Sequence, residues 1–429
     1  MGCVAMPMQR NCAGGYHVAV RRFAPRRAAL TFPHGPCPRQ LTPTAMIRDP
    51  DTLAALLDSV ARFVRERLVP NESIVADTDA IPEPIIAEMK ALGLFGLSIP
   101  EVYGGLGLTM EEEVNVAFEL GRTSPAFRSL LGTNNGIGSQ GIILDGTPEQ
   151  KTHYLPKLAS GELIASFALT EPGAGSDAAS LATTALRAGD VYVLNGTKRY
   201  ITNAPEAGVF TVMARTDPRD RGAHGISAFL VERGTPGLSL GKADRKMGQR
   251  GAHTCDVIFE NCRVPAANII GGREGTGFGT AMKVLDKGRL HIAAVCVAAA
   301  ERMLADALAY ALERRQFGEP IAEFQLIQAM LADSKAEIYA ARSMVVDASR
   351  RRDEGRDVGT EAACAKLFAS EMCGRVADRA VQIHGGAGYV SDYAIERFYR
   401  DVRLFRIYEG TSQIQQLVIA RNMIREARR

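Results

Sequence analysis

Residues 164–202 read IASFALTEPGAGSDAASLATTALRAGDVYVLNGTKRYIT, and the fold turns on them. Short apolar runs at Ile164–Leu169, Val191–Leu194 and Lys198–Thr202 are separated by Gly, Asp and Asn turn signals, with no helix-length period between them. The pattern continues through Val209–Ala214, Ser227–Val231 and Thr254–Phe259. An antiparallel β-domain over 164–272 is therefore predicted, rather than a doubly wound sheet. Leu194-Asn195-Gly196-Thr197 is predicted to be a hairpin turn.

On both sides the period lengthens. Leu53, Leu57, Val60, Phe63 and Val64 recur every three or four positions, one buried helical stripe. Pro82–Gly93, Met110–Leu120, Phe127–Leu144 and Pro148–Leu158 extend an N-terminal helical domain over 49–163. Long helices are predicted at Phe278–Arg315, Pro320–Glu354 and Gly359–Ile383, then Ser412–Ala427, which together read as a four-helix bundle over 273–429. The predicted class is α+β multidomain.

With 46% hydrophobic and 23% charged residues in 429, the chain is neither disordered nor fibrous, and no apolar stretch is long enough to span a membrane as a helix. The net charge of +3 conceals an asymmetry: residues 1–48 hold seven Arg and no Asp or Glu, leaving −4 for the rest. A slightly acidic body argues against a nucleic-acid partner. Residues 1–48 read either as a targeting leader or as an extension ahead of Met46; lacking a clean amphipathic period, they fit the extension better. The eight cysteines form no CxxC pair and the seven histidines no zinc-spaced cluster, so reduced thiols and no metal are expected.

Two segments carry chemistry. In Thr170-Glu171-Pro172-Gly173-Ala174-Gly175-Ser176-Asp177, two glycines and a serine expose backbone N–H groups to a ligand, although a tight surface loop has the same composition. No G-x-G-x-x-G and no G-x-S-x-G occurs, which disfavours a nicotinamide enzyme and a serine hydrolase. In Tyr408-Glu409-Gly410-Thr411-Ser412-Gln413, Ser412 with Gln415 fits a capping box, so Glu409 stands in the turn before a helix. The helix dipole lowers the pKa of such a carboxylate, and burial under an apolar ligand raises it toward what a carbon acid needs.

Taken in order, these strings resemble the acyl-CoA dehydrogenase family over residues 50–427. The resemblance rests on Phe167–Asp177, Tyr200–Asn203, Lys246-Met247-Gly248-Gln249-Arg250, Glu313–Gly318, Gln382–Gly388 and Tyr408–Gln413. It implies FAD-dependent oxidation of an acyl-CoA thioester to the trans-2-enoyl-CoA, with Glu409 as the α-proton base and hydride transfer to flavin N5. It further implies that Phe167, Ala168, Leu169, Thr170, Gly175, Ser176, Tyr200, Ile201 and Thr202 line the flavin. Arg314, Gln325, Gln382, Ile383, His384, Gly385 and Gly386 would meet the pyrophosphate and adenosine end, and Thr411, Ser412 and Gln413 complete the site. Ser176, Asp286, Lys287, Gly288, Arg289 and Gly410 would hold the CoA thioester.

The family's usual flavin-side Trp is absent, and Tyr200 stands in its place. Where some branches place their base on the long bundle helix, this chain has Gly288, which leaves Glu409. Arg128 resembles the arginine that the glutaryl-CoA branch uses for a distal carboxylate; a surface or inter-helix ion pair is the alternative. The implied partners are the acyl-CoA substrate, an electron-transfer flavoprotein and further copies of this chain in a homotetramer, a dimer of dimers. Bacterial cytoplasm is the expected location, or the mitochondrial matrix if residues 1–48 are a transit peptide. A flavin oxidase, a monooxygenase, a C–S eliminating relative and a non-catalytic CoA- or flavin-binding protein are the rival readings.

Overall fold

The computed structural model describes residues 49–429, and the expectations for residues 1–48 lie outside it. Helix α1 (Pro50–Phe63) begins at Asp49, whose carboxylate accepts from the Asp51 and Thr52 N–H groups. It is followed by α2 (Glu72–Thr78), α3 (Glu83–Ala91), α4 (Met110–Leu120), α5 (Pro125–Thr133), α6 (Gln140–Asp145) and α7 (Pro148–Ser160). Capping boxes start α4, at Thr109 with Glu112, and α7, at Thr147 with Gln150. Val60, Leu68, Phe95 and Phe127 anchor the core of this layer.

The sheet comprises β1 (Ala165–Ala168), β2 (Thr184–Ala188), β3 (Val191–Thr202), β4 (Val209–Arg215), β5 (Ile226–Glu232), β6 (Leu238–Leu240) and β7 (Thr254–Pro265). Its order is β1-β4-β2-β3-β7-β6, with β5 also on β4. Pairing is antiparallel except for β1 along β4 and a single β2–β4 bridge. Strand β1 enters from α7 and is no hairpin partner of β4, so no tight turn imposes an antiparallel direction.

The hairpin predicted at 194–197 is not one. Strand β3 runs unbroken through it, and Gly196, at φ +147°, marks a register shift against β7. A side chain there would collide with Thr183 across the sheet. The actual β2–β3 turn lies at Gly189-Asp190, and Asn195 instead accepts from the Asn261 N–H at 2.7 Å, stitching the bulge.

Beyond the sheet stand α8 (Gly277–Glu313), α9 (Gln325–Asp353), α10 (Gly359–His384), α11 (Ala394–Val402) and α12 (Ser412–Ala427). The small-residue run Ile292–Ala300 is buried throughout because α8 crosses the bundle with α4, α9 and α10 packed on it. Among the described residues no helix is long and apolar enough to cross a membrane, and no cluster of His, Cys, Asp or Glu could hold a metal ion.

Candidate active site

A cavity of about 480 Å³ opens where the loop after β1, the end of β3, α5, α8 and the segment leading into α12 converge. Phe167, Leu169, Thr170, Gly175 and Ser176 line one side, and Tyr200, Ile201 and Thr202 continue it. Arg128, Arg289, Glu409 and Gly410 close the other. Ala168 is placed differently: strand alternation turns it into the β-domain core beside Phe210 and Val212.

A buried ion pair shapes the β-domain wall. Lys198, wholly buried, donates to Glu171 at 2.7 Å and to the Leu169 carbonyl at 3.2 Å. Glu171 also accepts from the Ala182 and Thr183 N–H groups at 2.6 and 2.9 Å. Burial opposes ionisation of Glu171, but Lys198 and these donors outweigh it and hold the carboxyl below its ordinary value. The register shift after Lys198 puts Tyr200 at φ +59° and leaves the residue 62% exposed, with the Arg199 guanidinium 4.6 Å from its ring centroid. Between these walls the Thr170–Asp177 loop is open, since a Cβ on Gly173 or Gly175 would touch nothing within 4 Å.

Two carboxylates line this space, the exposed Asp177 and, deeper, Glu409. As a residue Glu409 is half-buried, yet Oε2 is shut off from solvent and has no hydrogen-bond partner. Burial raises its pKa, against the opposing charges of Arg128, Lys366 and Arg289. Its backbone sits at φ +51°, a left-handed conformation that costs a non-glycine residue about 1–3 kcal/mol. The helix that follows is capped by Thr411, whose side chain accepts from the Ile414 N–H at 3.2 Å; Ser412, predicted as the cap, donates to Glu371 at 2.6 Å. The cap moves back one residue because Thr411 is the extended one, at φ −60° and ψ 163°.

Arg128 is 5% exposed, with its Nε buried and unpartnered, and no carboxylate pairs with it among the described residues. The inter-helix ion pair weighed for it is not formed. On α8 the predicted quartet divides. Asp286 pairs with Arg289, Lys287 is committed to Glu113 of α4 at 2.6 Å, and Gly288 lies against the Glu409 carboxylate. Of the four, only Arg289 lines the cavity.

Arg314, Gln325 and Gln382–Gly386 are not part of the cavity wall. They gather at one end of the bundle: Arg314 caps α8, Gln325 opens α9, and His384 closes α10, stacked at 4.4 Å on Tyr310, one turn before Arg314. A Cβ on Gly385 or Gly386 would meet nothing within 4 Å, so this end too presents open backbone. Gln413 is exposed outside the cavity wall. The loop at 246–250 is a joint: Gln249 donates from its backbone N–H to Asp401 of α11, and a side chain on Gly248 would run into Asp401 and the Arg400 carbonyl carbon.

The sequence assigns no role to Lys198 or Lys366, and offers Glu171 only as part of a loop and Gln415 only as a capping residue. Lys366 does stand out as a cation among the small residues Ala362, Ala363, Ala369 and Ser370 of α10, but the sequence does not show what it would contact.

A helical layer, a sheet and a helical bundle meeting at one buried carboxylate define the class, and the comparisons supply the family. Residues 50–162, 166–262 and 275–424 match the acyl-CoA dehydrogenase N-terminal, middle and C-terminal domains. The chain belongs to the acyl-CoA dehydrogenase family of oxidoreductases. It is 44% identical over 365 residues to an acyl-CoA dehydrogenase of Bacillus subtilis, covering 85% of this chain and 96% of the relative. To the caffeyl-CoA reductase-Etf complex subunit CarC of Acetobacterium woodii it is 41% identical, covering 86% and 98%. The solved butyryl-CoA dehydrogenase of Megasphaera elsdenii superposes with a TM-score of 0.84 at 37% identity, covering 87% of this chain and 98% of that one.

Proposed function

We propose that the protein oxidises an acyl-CoA thioester to the trans-2-enoyl-CoA with FAD as acceptor, Glu409 removing the α-proton. The observation that carries this reading is the buried, unpartnered Oε2 of Glu409 in a cavity walled by Phe167, Tyr200, Phe278, Met282 and Leu285. Phe167, Leu169, Thr170, Gly175, Ser176 and Tyr200–Thr202 would hold the ring of FAD. Arg314, Gln325 and Gln382–Gly386 would hold its pyrophosphate and adenosine end, with Thr411–Gln413 completing the site; an arginine fork suits a diphosphate, and the open glycine backbone at both places fits the group. Bound there, FAD supplies the two-electron acceptor for a hydride from the β-carbon.

The chain's own residues do the rest. The α C–H of a thioester is a weak acid, so the base needs raised proton affinity, which burial gives Glu409. An acyl chain seated against Phe167, Phe278, Met282 and Leu285 would displace water from the carboxylate and raise that affinity further. Ser176, Arg289 and Gly410 line the space a thioester would occupy, with Asp286 holding Arg289 in place. Replacing Glu409 by Gln should leave FAD bound and abolish anaerobic flavin bleaching by butyryl-CoA; normal bleaching would refute the assignment. Peroxide release at the rate of turnover would move the protein to the oxidase reading, and a purified protein without flavin colour to the non-catalytic one.

A second reading concerns the substrate. Arg128, buried in the cavity wall with no carboxylate in ion-pair contact among the described residues, would be compensated by a terminal carboxylate on the acyl chain, as in a glutaryl-CoA-type substrate. An electron-transfer flavoprotein as acceptor is supported by the relative named as part of an Etf complex. A homotetramer would cover Phe317, Leu326 and Tyr389, all more than 80% exposed. Unpaired thiols, four of the five described ones buried, support a reducing cytoplasm.

A further inference from the structure

The backbone that presents Glu409 is a left-handed turn, with Glu409 at φ +51° and Gly410 at φ +90°, between the short helical stretch Arg403–Arg406 and α12. Such a turn persists at a non-glycine residue only where its surroundings fix it. Two buried donors do so. Lys366 Nζ donates to the Gly410 carbonyl at 2.7 Å. Gln415 Nε2 donates to the Glu409 and Gly410 carbonyls, each at 3.1 Å. Both side chains are 0% exposed.

Packing alone does not explain Lys366. Its neighbours one turn away on the buried face of α10 are Ala362, Ala363, Ala369 and Ser370, small side chains among which an apolar residue would avoid the cost of burying an ammonium. Its charged and titratable surroundings are Cys296 and Arg289 of α8, Glu371 of α10 and Glu409. Glu371 is already engaged by Arg406 at 3.2 Å and Ser412 at 2.6 Å, which leaves the Glu409 carboxylate to balance the ammonium. The cations around Glu409 come from three elements: Arg128 of α5, Arg289 of α8 and Lys366 of α10. Arg128 and Arg289 line the cavity and meet whatever enters it, whereas Lys366 stands behind the wall.

We propose that Lys366 and Gln415 are positioning residues for the reaction: they pin the two carbonyls of the Glu409 turn from behind, and the Lys366 ammonium is a fixed charge behind the cavity wall that favours the ionised carboxylate alongside the two cavity arginines. This deepens the proposed function and rests on Glu409 being the base.

The test uses FAD-loaded Lys366→Met, Lys366→Gln and Gln415→Met. Anaerobic reduction by butyryl-CoA is followed against pH. The Glu409 carboxyl stretch, identified as the infrared band missing from Glu409→Gln, is titrated in parallel without substrate. Both Lys366 variants should move the acid-side midpoint upward by about one pH unit in the rate profile and in the infrared titration, since each removes a nearby opposite charge. Gln415→Met keeps the charge, so it should slow reduction roughly tenfold or more with the midpoint unmoved. Midpoints of the Lys366 variants that coincide with wild type overturn the proposal. If those variants do not fold, Gln415→Met decides alone, and reduction at the wild-type rate overturns it. Bleaching of Glu409→Gln refutes the base itself, whereas a silent Glu409→Gln with unmoved Lys366 midpoints refutes only the positioning role.

Discussion

Gly288 lies directly against the Glu409 carboxylate: a Cβ on Gly288 would overlap Oε2 and stand 3.0 Å from the carboxyl carbon. The three atoms it would meet first all belong to that carboxylate. A glycine inside a helix costs about 1 kcal/mol relative to alanine, so α8 gives up helix propensity to make room for an acid on another element.

Gly288→Ala should therefore separate folding from chemistry. The helix gains propensity, and thermal unfolding should occur at or above the wild-type temperature. Flavin reduction by substrate should fall roughly 100-fold, because a displaced base loses alignment with the α C–H. Wild-type reduction kinetics in a folded Gly288→Ala protein would refute this account of the contact.

The raised pKa of Glu409 has a consequence for stability. The folded state holds the proton more tightly than the unfolded chain does, chiefly through burial. Its contribution is then fully present below the ordinary carboxylate pKa and is lost as pH rises through the raised folded value. Glu409→Gln, which cannot ionise, should unfold at a higher temperature than wild type at neutral pH and at nearly the same temperature in acid. Melting curves of apo and FAD-loaded protein at both pH values check this; equal melting temperatures at neutral pH would contradict it.

The three-layer order was legible because helix and strand periods differ so plainly on either side of residues 164 and 272. Local chemistry misled where one motif has two uses. Asn195-Gly196 is a hairpin signal and also a bulge signal, and the distant partner β7 decided between them. Ser412 and Gln415 have capping-box spacing, but Gln415 turns back to the Glu409 and Gly410 carbonyls instead of the cap. Glu409 and Arg128 could be singled out from short strings. The roles of Lys198 and Lys366 could not, because each depends on an acceptor that only the tertiary fold brings within 2.7 Å.

Arg128 bears on substrate choice. A Cβ on Gly132, one turn later, would stand 2.7 Å from the guanidinium, so the glycine keeps a channel for this side chain. A carboxylate bound there gains a charge-assisted contact of about 1.5–3 kcal/mol, which corresponds to roughly 10–100-fold in kcat/KM. Glutaryl-CoA should outcompete butyryl-CoA by that order, and Arg128→Ala should reverse the preference. A wild-type preference for butyryl-CoA would show that the cation serves something other than a terminal carboxylate.

The buried pair Lys198–Glu171 should prove the costliest single point of failure in the β-domain. Burial pushes the Lys198 ammonium down to about 8, so it remains charged at neutral pH by virtue of Glu171. Lys198→Met strands a buried carboxylate with only the Ala182 and Thr183 N–H groups, and about 3–5 kcal/mol of stability should be lost in urea unfolding. Because the pair also ties the start of the Thr170–Asp177 loop through the Leu169 carbonyl, flavin retention on gel filtration should fall with it. The double variant Lys198→Met/Glu171→Gln removes both charges and keeps an amide for hydrogen bonding, so it should recover part of the stability lost by the single one. If the double variant is as unstable as the sum of the two single ones, the pair is not an electrostatic unit, and the loop owes its shape to its own turn at Glu171–Ala174.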